Sequence, residues 1–150
     1  MNKNSYLIGL SESSRSDFGR KPFARQATEQ QVFSAIWALE SEVNNRGFAQ
    51  CFSSSDGDTA AFAPVALNTI GAHQCAKIVQ RALSVLAPSS QLPSQQSARQ
   101  ALVDALSEDE QNQLGDLDSE FYSYPDSLTE LLFAFVSANP NTFGPSPIDA

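Results

Sequence analysis

From residue 104 to residue 150 the chain holds ten acids and not one lysine or arginine. Over the whole sequence 9 Lys+Arg face 17 Asp+Glu, a net charge of −8 with a pI near 4.4. Nucleic acid and anionic membrane carry the same sign, which argues against direct binding to either. Apolar runs are short and interrupted, far from the ~20 residues of a membrane span. The opening Met1–Ile8 lacks the apolar core of a signal peptide. Two cysteines, Cys51 and Cys75, allow one bridge at most and read as reduced thiols in a cytoplasmic protein. Histidine is nearly absent as well, with His73 alone.

Those shortages remove most site chemistry. Zinc needs about four Cys/His ligands, and Cys51, Cys75 and His73 supply three. Asp116-Leu117-Asp118-Ser119-Glu120 begins like a calcium loop, but Phe121 stands where the loop requires glycine. No Gly-x-Ser-x-Gly elbow, phosphate loop or dinucleotide fingerprint is present. No metal or cofactor is expected, and catalytic candidates reduce to the surroundings of His73, Cys51 and Glu40.

What is present is helical periodicity and an uneven distribution of charge. Residues 1–25 sum to +3, residues 26–103 to −1 and residues 104–150 to −10. Thr28 with Gln31 reads as a capping box ahead of Val32, Phe33, Ile36, Trp37 and Val43, a helix over 29–46 stopped by Gly47. Phe48 and Phe52 form one turn, and Asp58 ends a Ser/Gly/Asp loop as a cap for the next helix, which Pro64 delays. Gly71 separates that helix from one running to Leu86. A short helix over 95–106 turns Ala98, Ala101, Leu102 and Ala105 inward. Ser107 with Glu110 and Ser127 with Glu130 are two further capping boxes, ahead of the Leu114/Leu117/Phe121 stripe and of Leu128, Leu131, Leu132, Phe135 and Val136.

With no two-residue alternation, the fold class is all-α: a single compact domain of about six helices over 28–139. A weakly basic N-terminal arm, 1–27, precedes it, and a Pro/Ser-rich tail, 140–150, follows. In the arm Arg15, Arg20, Lys21 and Arg25 alternate with Phe18 and Phe23, whose rings are expected to dock on the bundle.

The segment Leu39 to Asp58 contains Glu40, Glu42, Asn44, Asn45, Gly47, Phe48, Gln50 and Phe52 ahead of Ser53-Ser54-Ser55-Asp56-Gly57-Asp58. Ala66-Leu67 with Ile70-Gly71-Ala72, and Leu117-Asp118 with Phe121-Tyr122, follow in order. Together these resemble the family of small all-helical bacterial domains of unknown function that includes the acidic DNA-mimic protein nineteen. Arg46 departs from the family pattern, standing where the first glycine of a pair is usual, and reads as one extra helical residue before Gly47. The resemblance implies an all-α fold. From its named member, an acidic dimer, it implies occupation of the DNA-binding surface of a transcription factor, and with that a homodimer. The asparagines, Gly47 and the two phenylalanines also have a purely structural reading, as a helix end, a turn and core filling.

The acids of the last third are the candidate binding surface: Asp104, Glu108, Asp109, Glu110, Asp116, Asp118, Glu120, Asp126 and Glu130. On a helical wheel Asp109, Asp116 and Glu120 fall together, away from the apolar stripe. The expected partner is a basic protein, a DNA-binding transcription factor in the mimic reading. Acids near helix starts, such as Glu108, Glu110 and Glu130, equally suit capping and the helix dipole. Two alternatives stay open: an interaction or immunity-type module that does not rely on charge, and a small-ligand binder or uncharacterised enzyme.

Overall fold

The computed structural model describes residues 2–11, 21–88 and 91–143. Arg15, Phe18 and Arg20 of the basic arm and residues 144–150 of the tail lie outside them.

The central element is α2, Thr28–Arg46, whose Val32, Phe33, Ala35, Ile36, Leu39 and Val43 recur at three and four residue spacing and are buried. Its start differs from the sequence reading. Ala27 stands at the cap position, and Gln30 Oε1 accepts the Ala27 N–H at 2.8 Å. Gln31 instead donates to the Phe23 carbonyl at 3.0 Å, which ties down the 3-10 turn Phe23–Arg25. Phe23 meets Phe62 edge to face at 6.0 Å, so that ring of the arm does dock. At the other end Arg46 is the last helical residue and Gly47 takes φ +88, a left-handed value that favours glycine.

Two short elements, α3 (Phe48–Ser53) and a 3-10 run over Ser55–Phe62, lead into α4 (Ala63–Thr69). Pro64 sits in the first turn of α4, where its missing N–H costs nothing. Gly71, at φ +88, turns the chain into α5 (His73–Leu86). Then come α6 (Gln96–Asp104), α7 (Glu108–Tyr122), α8 (Leu128–Ser137) and α9 (Pro140–Phe143). Both α3 and α4 pack on α2, α5 lies between α4 and α7, and α7 also touches α3 while α6 leans on it.

The described residues are all-helical, as expected, but hold nine α-helices where about six were read. One addition is α1, Lys3–Ser11, inside the segment read as an arm: it packs on α8, with Leu7 buried and Tyr6 edge-on to Phe133 at 5.8 Å. Its apolar residues are too few to show periodicity, and only the α8 surface makes them a helix face. Another is α9, whose Phe143 packs against Phe33 and Phe135.

Two more local readings are corrected. Ser107 and Glu110 do form the reciprocal capping box, at 3.1 and 3.0 Å. Ser127 and Glu130 do not: Ser127 makes no side-chain cap, and Glu130 reaches Lys3 on α1 instead. In α6 the inward residue is Arg99, fully buried, while Ala101 and Ala105 are exposed and Ala98 and Leu102 only half-buried. Arg99 fills a nest of acceptors left by the ends of neighbouring segments. Its Nε donates to the Phe52 carbonyl (2.8 Å), Nη1 to Pro93 and Ser94 (3.1 and 2.7 Å) and Nη2 to Ser54 (3.1 Å) and to the Asp58 carboxylate. Asp58 is thus a partner of Arg99 rather than a helix cap. Gly57 is required at this point, since a Cβ there would stand 2.6 Å from the Phe52 carbonyl oxygen and 3.0 Å from Arg99 Nε. Among the described residues no helix is long and apolar enough to cross a membrane.

Candidate functional site

Two of the three motifs that carried the resemblance, the Leu39–Asp58 segment and the Leu117–Tyr122 motif, meet in space. Asp118 Oδ1 on α7 accepts the backbone N–H of Phe48 at 2.8 Å, the Tyr122 hydroxyl donates to the Val43 carbonyl at 2.8 Å, and the Phe48 and Phe121 rings pack edge to face at 5.7 Å. Gly47, at the start of α3, has no side chain with which to cap it, so the cap comes from α7. The same device recurs at α5. Ala72 precedes that helix, and Asp126 Oδ2 accepts the Cys75 N–H at 2.8 Å. Burial nevertheless holds the Asp118 carboxyl above the usual carboxylate range, outweighing the Phe48 hydrogen bond.

One turn back along α2 the arrangement changes from packing to a polar cluster. Asn44 Nδ2 donates to the Tyr124 hydroxyl oxygen at 2.5 Å, and that hydroxyl donates to Glu40 Oε1 at 3.2 Å. Tyr124 sits at φ +50, a left-handed backbone costing ~1–2 kcal/mol for a residue with a side chain. Its phenol bonds and the Phe121 ring, 6.3 Å away, hold it there. Burial pushes the Glu40 carboxyl up from its ordinary value, against the lowering pull of the Tyr124 O–H. Glu40 and Asn44 open into a cleft of about 210 Å³ between α1, α2 and α8, walled on its apolar side by Leu7, Ile8, Trp37 and Leu132. Trp37 is stacked on Phe33 at 5.5 Å, which fixes the indole.

The nine acids of the candidate surface do not share one environment. Asp118 and Asp126 are half-buried and committed to helix starts, and Glu110 is committed to the Ser107 cap, which holds its carboxyl below the usual range. Glu120 pairs with Arg81 at 3.1 Å, Glu130 with Lys3 at 2.5 Å, and Asp104 accepts from Gln100 at 2.9 Å. Glu108, Asp109 and Asp116 are exposed and make no hydrogen bond or ion pair among the described residues. Of the remaining motif residues, Glu42 lies 3.7 Å from Arg46 one turn on, Asn45 and Gln50 are exposed, and Phe52 is core.

The catalytic candidates separate. His73 is exposed, with Nδ1 2.8 Å from Asn68 Oδ1, whereas both cysteines are buried and outside any disulfide. Burial pushes the Cys75 thiol up to about 12, so at neutral pH it is a thiol and a poor nucleophile. No cluster of metal-ligating side chains occurs among the described residues.

Sequence reasoning missed Arg99 and Tyr124. For Arg99 a signal exists: Arg99, Leu102, Val103 and Leu106 lie on a three and four residue stripe, and the last three are partly buried. Tyr124 has none, because its role depends on where α7 ends relative to α2.

No curated protein and no solved structure matches the chain. A family match does exist, and it spans the α2–α3 signature, the Arg99 nest and the α7 motif alike: residues 24–139 fit the model of the DMP19-like proteins, and the chain belongs to the DMP19-like protein family.

Proposed function

We propose that this domain is an acidic protein-interaction module that presents α7 to a basic surface of its partner. The observation that carries the reading is the two-sidedness of α7. Leu114, Leu117 and Phe121 are buried, while Glu108, Asp109 and Asp116 face solvent unpaired, in a region from residue 104 onward that contains no base. Association would release the anions held by the partner and weaken as salt rises.

In its finer form the partner is a DNA-binding protein and the carboxylates stand in for phosphates. With Asp118 turned toward α3 and Glu110 held in the Ser107 cap, four carboxylates remain between Glu108 and Glu120: Glu108, Asp109, Asp116 and Glu120. Twelve residues rise ~18 Å, or ~4.5 Å per carboxylate. One DNA strand has a phosphate every ~3.4 Å along the axis, a somewhat higher density. Arg81 on Glu120 lowers the local charge and is the main feature working against this form.

The test is capture from host lysate on the immobilised domain, with elution in a salt gradient. The proposal expects a basic protein that leaves the column below ~0.5 M salt, where the screening length is ~4 Å. Asp109→Lys with Asp116→Lys should abolish capture while the circular dichroism is unchanged. Competition by duplex DNA supports the mimic form. Capture that is indifferent to both salt and the lysines removes the reading in favour of an interaction that does not depend on charge.

A further inference from the structure

The cleft between α1, α2 and α8 is absorbed neither by the packing of the motif junction nor by the α7 surface. Its walls divide by chemistry. Leu7 and Ile8 from α1, Leu132 from α8 and the Trp37 ring give one apolar side. The same three helices also bring polar groups: Glu40 a carboxylate, and Asn4, Ser41, Asn44 and Thr129 neutral side chains. Asn44 gives one of its two amide N–H groups to Tyr124, which leaves the other and its carbonyl oxygen. None of the lining side chains is cationic. Lys3, on the same helix as Leu7 and Ile8, is taken up by Glu130 and the face of the Phe133 ring, 5.3 Å from its Nζ.

Glu40 is therefore a partly desolvated carboxylate with one long hydrogen bond, from Tyr124 at 3.2 Å, and no ion-pair partner among the described residues. An anion would meet the Glu40 carboxylate with no lining cation to hold it. A neutral polar ligand would leave the carboxylate unpaired, and unpaired buried charge is costly. At about 210 Å³ the space lies below the ~300–1,000 Å³ of pockets that take drug-sized ligands. That excludes nucleotides and oligosaccharides and suits a single unbranched chain. The apolar wall, to which the indole held by Phe33 contributes, matches methylenes.

We propose that this cleft binds an ammonium or guanidinium group carried on an alkyl chain, with Glu40 as counter-ion and Trp37, Leu7, Ile8 and Leu132 against the stem. The site is separate from the α7 reading and stands whether or not that reading holds. The same chemistry has two sources, a free alkylamine or the lysine or arginine side chain of another protein.

Trp37 is the only tryptophan in the chain, so its fluorescence reports on the cleft directly. The experiment titrates the full chain with n-butylguanidinium and n-butylammonium chloride, using n-butanol and sodium chloride at equal concentration as controls. The expected result is a saturable change for the two cations only, with Kd near ~1–10 mM, the range open to ligands of this size. Glu40→Gln keeps the shape of the cleft and the acceptor for Tyr124, and should weaken binding at least ~10-fold. Thr129→Leu, on α8, narrows the cleft while leaving Glu40 in place and should weaken it too; circular dichroism checks that both variants fold. A response shared by butanol or salt, no saturation in the wild type, or an unchanged Kd in a folded Glu40→Gln overturns the proposal. Nα-acetyl-arginine N-methylamide separates the sources. Binding equal to that of butylguanidinium supports a site for a protein side chain, and binding ~10-fold weaker supports a site for a free amine.

Discussion

Asp118 and Phe48 are seventy residues apart and joined by one hydrogen bond, the Phe48 N–H donating to Asp118 Oδ1 at 2.8 Å. Through it the acidic helix α7 supplies the cap that Gly47 cannot. Gly47 in turn must be small: a Cβ there would stand 2.6 Å from Asp118 Oδ2. Asp118→Ala should cost ~1–2 kcal/mol, the usual worth of a helix cap. Gly47→Ala should cost ~1–3 kcal/mol for its backbone at φ +88, ψ 174, with the clash added. Because Asp118→Ala removes the clashing carboxylate, the double variant should lose less than the two costs together. Urea denaturation of the four proteins measures the coupling.

Arg99 carries a second prediction. Its side chain has no exposure and donates to five acceptors, of which only Asp58 is charged and that carboxylate is 58% exposed. Arg99→Met should cost ~3–5 kcal/mol by orphaning those acceptors. Arg99→Lys should recover little, because an ammonium is a point donor and cannot span acceptors on three segments. Asp58→Asn keeps an acceptor but leaves the buried guanidinium without its only counter-charge, and should cost ~1–3 kcal/mol, less than Arg99→Met. Thermal melts rank the three.

The docking of α1 rests on apolar contact rather than on its ion pair. Lys3 and Glu130 are 41% and 58% exposed, so Lys3→Ala should change stability by no more than ~1 kcal/mol. Leu7, 1% exposed, should cost ~2–4 kcal/mol on Leu7→Ala, and the loss should appear as early hydrogen exchange in α1 and α8.

The buried Glu40 carboxyl makes stability depend on pH with a definite sign. Its pKa is raised in the folded state, so between the ordinary carboxylate value and that raised value the folded chain keeps a proton the unfolded chain has lost. Stability contributed by this group therefore falls as pH rises through the window. Glu40→Gln should melt higher than wild type at pH 7, and the difference should vanish below about pH 4, where both side chains are neutral. Melting curves of the two proteins across that range test it, and a difference that grows on acidification would contradict the assignment.

Sequence reasoning reached the helices that carry their own instructions. The α2 stripe from Val32 to Val43, the stop at Gly47, the Ser107–Glu110 box and the Leu114/Leu117/Phe121 stripe are local patterns, each readable within four residues. It placed Arg46 as one more helical residue, and Arg46 ends α2. It failed where a residue's partner is distant. Ser127 and Glu130 have the spacing of a box, yet Lys3, 127 residues away, takes the carboxylate. Ala98 and Ala101 fit an apolar stripe, yet the unsatisfied carbonyls of Phe52 and Ser54 select the Arg99 face of the same helix.

The acids show the same division. Composition determined that residues 104–150 carry −10, and periodicity that the domain is all-helical, because charge adds and helical periodicity is local. Which carboxylates face a partner was decided only by the tertiary structure. Asp116 and Asp118 are two residues apart and chemically identical, but a helix turns about 200° between them, so one meets solvent and the other meets the start of α3. The cleft at Glu40 has the same origin, since its walls come from three helices that no local pattern joins.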